Sequence, residues 1–177
     1  MPLDLQPSAP TALLCAALAP GAAAVHAAID RLAERFGPVR ARGPVFLFDM
    51  TSYYEAEMGP GLAKGLAWFG ELLDPAHLAA RKGEAMAFER EAARPGADGC
   101  LRRTVNVDAG LLSPHSLVLA TTKARGHRVC IGPSLWAEVT LLFEKGAYRP
   151  LPWTYQDFRR DDVGQFLLGV RAQVLPR

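Results

Sequence analysis

The chain lacks most of the features that fix a function outright. Its 177 residues include only three cysteines, Cys15, Cys100 and Cys130, with no Cys-x-x-Cys pair. Neither a disulfide framework nor a zinc site is indicated, and a reducing cytoplasm is the expected setting. No apolar run reaches the roughly 20 residues needed to cross a bilayer. The apolar segment from Thr11 to Ala24 follows Asp4 rather than a basic residue, and Pro20-Gly21 interrupts it, which argues against a secretory leader. Charge of either sign is not in excess. With 20 Lys and Arg against 18 Asp and Glu, neither a nucleic-acid groove nor a membrane surface is expected as a partner. Also missing are Gly-x-x-x-x-Gly-Lys-Ser/Thr, Gly-x-Gly-x-x-Gly, Gly-x-Ser-x-Gly, His-Glu-x-x-His and the zinc deaminase pattern. The first absence excludes a P-loop nucleotidase.

What is present predicts an α+β fold, mainly an antiparallel sheet with a β-meander in the C-terminal half and about three helices packed on one face. The length suits a single domain, taken as residues 11–177 after a flexible N-terminus at 1–10. Ala12 to Ala19 is either a buried strand or a helical turn, since both are continuously apolar. Val25, Ile29, Leu32 and Phe36 recur at helical spacing before Gly37-Pro38. Val45 to Met50 reads as an interior strand delivering Asp49, Tyr53 and Glu57 into a loop. Leu66 to Leu72 is taken as a strand because Gly65 and Gly70 weaken a helix. Asp74-Pro75 has the form of an N-cap followed by proline, so a helix runs from there to about Ala93. Asp161 is expected to cap a last helix carrying Val163, Phe166, Leu167 and Val170.

The meander is read as Leu117–Lys123, His127–Ile131, Leu135–Phe143 and Tyr148–Leu151, with turns at Gly126, Gly132-Pro133 and Gly146. Three-residue loops pair Thr122 with Arg128 and Arg128 with Glu138, making one row of the three. Alternation then assigns Leu117, Leu119, Val129, Ile131, Leu135, Ala137, Val139, Leu141 and Phe143 to the core. Arg128 and Glu138 fit two roles: an ion pair on a solvated face, or part of a cleft where Arg128 and Lys123 hold an anion and Glu138 acts as a base. His127 beside Lys123 suits a neutral acid–base group, although a turn histidine is also an ordinary surface residue. Asn106 and Asp108 share a strand face and could join Asp49 or Glu57 around a divalent cation such as Mg2+, or simply end a strand before Gly110.

Four stretches together resemble a bacterial family catalogued as a domain of unknown function, number 4416. They are Phe48 to Gly59 (Phe-Asp-Met-Thr-Ser-Tyr-Tyr-Glu-Ala-Glu-Met-Gly), Val105 to Gly110, Leu117 to Lys123 with His127-Arg128, and Ala137 to Leu141 with Pro152-Trp153-Thr154-Tyr155. The resemblance covers nearly the whole chain. The sequence departs from the family pattern at Ala109 and Gln156, where proline is usual, and at Cys130, where an aromatic is usual. The resemblance implies a small cytoplasmic bacterial protein and brings no established activity; some members carry the label of GTP-binding protein.

The polar residues that this resemblance gathers exceed what packing requires. They predict a site for a phosphorylated or nucleotide-like small ligand over the mixed sheet face. Asp49, His127 and Glu138 are the candidate acid–base groups. Tyr53, Asn106, Thr122, Lys123 and Arg128 are the candidate ligand contacts, and Asp108 and Glu57 the candidate metal ligands. The competing expectation is a non-enzymatic adaptor or assembly protein, in which Tyr53-Tyr54 and Trp153 dock a protein partner or a second copy of the chain.

Overall fold

The computed structural model describes Asp4 and residues 7–175; part of the expected N-terminal tail falls outside them. In chain order the elements are β1 (Thr11–Pro20), α1 (Gly21–Phe36), β2 (Val39–Leu47), α2 (Glu55–Met58), β3 (Leu62–Leu73), α3 (Leu78–Ala92), β4 (Arg94–Pro95), β5 (Leu101–Arg102), β6 (Asn106–Leu112), β7 (Ser116–Thr121), β8 (Val129–Gly132), β9 (Leu135–Glu144), β10 (Ala147–Pro150) and α4 (Asp161–Val174). The main sheet runs β10-β9-β7-β6-β1-β3-β2, with β8 also on β9, and every pairing is antiparallel.

Strand β1 explains the layering. It is buried from Thr11 through Ala19, and alternate side chains point to opposite faces of a sheet. Leu13, Cys15, Ala17 and Ala19 pack with Val25, Ile29 and Leu32 of α1 and Ala85 and Phe88 of α3. Ala12, Leu14 and Ala16 pack instead with Val163, Leu167 and Val170 of α4. A strand apolar on both sides needs cover on both sides. The helices therefore do not share one face, as the sequence suggested: α1 and α3 lie on one side and α4 on the other.

Glycine is needed in β3 for close approach. A Cβ on Gly65 would come within 2.6 Å of Val25 Cγ1 and 2.9 Å of Val45 Cγ2, so its absence lets α1 settle against the strand. β2 differs from its reading in two ways. It begins at Val39, and it is the edge of the sheet rather than an interior strand. Its register with β3 breaks between Arg42 and Val45, around Gly43-Pro44, and proline is tolerated at such edges. Asp74 does cap, its side chain accepting the N–H of Ala76 ahead of α3. Asp161 does not; it is the first residue of α4.

The C-terminal strands form a meander with a rearranged order. β9 takes β7 on one edge, and β8 and then β10 on the other. Thr122 and Arg128 therefore do not pair, because β8 lies on the far side of β9. The β8–β9 hairpin does follow the expected register, with Val129 opposite Ala137 and Cys130 opposite Trp136. The single core face does not hold. Glu138 lies opposite Leu119, and opposed residues share a face. The β7–β9 register then slips between Leu117 and Val118, so Leu141 and Phe143 join the α4 layer while Ile131 and Ala137 pack toward α1 and α3. Val129, expected inside, is exposed.

Candidate functional site: a cleft in an opened seam of the sheet

Strands β6 and β7 pair at only three rungs, Gly110 with Leu119, Leu111 with Val118 and Leu112 with Leu117. Beyond Gly110, β6 continues along β1 as far as Asn106, and β7 continues along β9 to Thr121, but the two part from each other. Continued in register, Val107 would face Thr122. Helix α3 replaces that missing partner with side chains: Lys82 Nζ donates to the Val107 carbonyl at 2.7 Å, and Glu89 Oε1 accepts the Val107 N–H at 2.6 Å. Buried backbone groups need such partners. The opened seam is a cleft of about 430 Å³.

Its inner end is ionic. Lys64, buried in the apolar first part of β3, lies 2.8 Å from Asp108 and 2.5 Å from Asp157. Burial alone would lower the Lys64 pKa, but these two carboxylates more than offset it and raise it. Burial likewise works against ionised Asp108, yet Lys64 and then Lys82 hold its carboxyl below the ordinary range. Glu89 goes the other way: burial raises it and Lys82, 3.9 Å away, only partly opposes this. Arg103 grips both oxygens of Glu57 and donates to Asn106 Oδ1 at 2.8 Å, and its hydrogen bonds lower the Glu57 pKa. Tyr54 lines the same wall, its phenol pushed up to about 12 by burial and by Asp108. At the mouth, Thr121, Thr122 and Lys123 form one rim and Tyr53 the other, with Lys123 Nζ 4.2 Å from the Tyr53 ring centroid.

Of the residues singled out from the sequence, Tyr53, Asn106, Asp108, Thr122 and Lys123 meet in this cleft. Glu57 reaches it through Arg103. Asp49 lies outside the cleft, exposed two residues beyond the end of β2. His127, Arg128 and Glu138 sit behind the wall. Arg128 donates from Nε to Glu138 at 2.7 Å, from Nη1 to the Lys123 carbonyl at 2.6 Å and from Nη2 to the Tyr155 hydroxyl at 2.7 Å. With its side chain 5% exposed and that of Glu138 1% exposed, the pair is neither a solvated ion pair nor a ligand clamp. It is a buried brace that holds the Lys123 loop and Tyr155 in place. His127 adds a 3.2 Å contact to Glu138 and stacks on Trp153. The metal grouping also comes apart, because Asp108 faces Lys64 and Glu57 faces Arg103. Among the described residues no group of three His, Cys, Asp or Glu side chains is placed to hold an ion.

Lys64, Lys82, Glu89, Arg103 and Asp157 escaped the sequence reading. Lys64 carried a signal, a lone charge inside the apolar run Leu62 to Phe69. So did Lys82 and Glu89, seven residues apart on the buried stripe of α3 with Leu78, Ala85 and Phe88. Asp157 carried none.

Fold and site together define an α+β protein with helices on both faces of an antiparallel sheet and a charged cleft where two central strands part. The chain belongs to the family described as Domain of unknown function (DUF4416), whose model matches residues 9–173. No curated protein and no solved structure matches it. Among the described residues no helix is long and apolar enough to cross a membrane.

Proposed function

We propose that the cleft binds a small phosphorylated ligand of nucleotide-like size. The observation that carries this reading is the state of the lining cations. Lys64, Lys82 and Arg103 each face a carboxylate, whereas Lys123 makes no ion pair among the described residues. It lines the cleft with Thr121 and Thr122, its ammonium lies over the Tyr53 ring, and Arg128 fixes its backbone from behind. A cation without a carboxylate partner on the rim of a concave, partly aromatic pocket is suited to an incoming phosphate. The three free cysteines suit a reducing bacterial cytoplasm as the setting.

The adaptor reading draws less support. Tyr53 faces Lys123 across the mouth, Tyr54 packs against Phe48, and Trp153 stacks on His127 while donating to the Val139 carbonyl at 2.8 Å. These aromatics are engaged within the chain. The test is calorimetry against nucleotides and phosphorylated metabolites, with and without magnesium. Binding that Lys123→Ala weakens by about tenfold or more is expected. No binding by any member of the panel would remove the reading.

A further inference from the structure

The charges at the floor of the cleft do not balance. Lys64 and Lys82 stand against Asp108, Asp157 and Glu89, and the Arg103–Glu57 pair beside them is neutral in itself. With every group ionised, two cations meet three carboxylates. Lys64, Lys82, Glu89 and Asp157 are all buried, so water does little to screen the excess, while the Asp108 side chain remains 30% exposed and opens on the cleft. The carboxylates also keep acceptor capacity. Asp157 Oδ1 and Glu89 Oε2 make no hydrogen bond among the described residues, and Asp108 Oδ1 has only the Asn106 amide at 3.3 Å. A buried uncompensated charge is removed either by a proton or by a counter-ion. The rim has the opposite sign, through Lys123.

We propose that the cleft takes a bipolar ligand, with a phosphoryl group at Lys123 on the rim and a primary ammonium at the floor beside Asp108, whose side chain opens on the cleft. The outer end of this assignment rests on the phosphorylated-ligand reading; the inner end rests on the charge count alone. Burial favours the neutral form of Glu89 and raises its pKa, with Lys82 opposing this only in part. The groups facing it are Lys82 on its own helix, the Val107 N–H and Asp108 on β6, and Arg103 just before β6. Arrival of the ammonium restores neutrality.

The experiment uses ω-aminoalkyl phosphates of graded chain length, alkyl phosphates matched to them in length, and the corresponding alkylamines, each titrated into the full chain by calorimetry. At one length the amino phosphate is expected to bind at least about tenfold more tightly than its amine-free match. Asp157→Asn and Glu89→Gln, which remove the excess charge at two different residues, should each reduce that advantage to about threefold or less and leave alkyl phosphate binding in place. Asp157→Asn keeps Lys64 paired with Asp108, and Glu89→Gln keeps an acceptor for Val107, so both variants are expected to melt cooperatively, and either alone suffices for the test. Equal binding of amino and plain phosphates at every length overturns the bipolar assignment and leaves the phosphate reading standing. Binding of the alkylamines with neither phosphate series overturns the phosphate reading and keeps the cationic floor. Absence of binding in all three series overturns both.

Discussion

Glu89 on helix α3 accepts the backbone N–H of Val107 on strand β6 at 2.6 Å, so a helix side chain stands where a neighbouring strand would. Val107 is fully buried, which leaves its amide no recourse to water. Glu89→Ala is expected to cost about 1–3 kcal/mol, the penalty of an orphaned buried donor. Glu89→Gln retains an acceptor and should cost less. Urea denaturation of the two variants checks the order.

The cleft floor also predicts two pH dependences of opposite sign. Glu89 has a raised folded pKa, through burial first and despite Lys82. Its contribution to stability is fully present below its unfolded value and is lost as pH rises through the folded one. Asp108 is lowered: burial opposes this, but Lys64 and Lys82 prevail. Its contribution is present above its unfolded value and is lost as pH falls through the folded one. Melting temperatures should show Glu89→Gln gaining on the parent as pH rises above roughly 4, and the deficit of Asp108→Asn shrinking as pH falls below roughly 4.

Removal of Glu138 leaves Arg128 buried without its carboxylate. Glu138→Ala is expected to destabilise by about 3–5 kcal/mol, and the double variant Arg128→Ala/Glu138→Ala by less than the sum of the singles. Arg128→Ala should also free the Lys123 loop and Tyr155, which it holds by hydrogen bonds. Faster amide exchange at Lys123 would register this; unchanged exchange there would show that the brace does not set the wall.

Gly110 lies on the last rung before the seam opens. A Cβ there would meet Leu119 Cδ2 at 2.5 Å and the Val118 carbonyl oxygen at 2.8 Å. Gly110→Ala is expected to cost about 1–3 kcal/mol through overpacking and to speed hydrogen exchange at the Leu111 and Leu112 rungs. Exchange confined to the parent rate at those rungs would show that the sheet absorbs the methyl elsewhere.

The features legible from the sequence are the ones encoded within a few residues. The α1 stripe Val25, Ile29, Leu32 and Phe36, the Asp74 cap and the β8–β9 register that brings Arg128 to Glu138 each depend on neighbours close in the chain, where period, cap chemistry and turn length are decisive. The family resemblance, carried by the run from Phe48 to Gly59 and the strands after Val105, was legible too. The tertiary structure decided the rest. Nothing local determines that β7 joins β9 while β8 crosses to the outer edge, that α4 covers the face opposite α1, or that Thr140 falls where the β7–β9 register slips and turns Glu138 inward. The cleft has the same origin. Lys64, Lys82, Glu89 and Asp157 come from β3, α3 and the turn before α4, and they meet only because β6 and β7 part after three rungs and α3 supplies the missing partner of Val107.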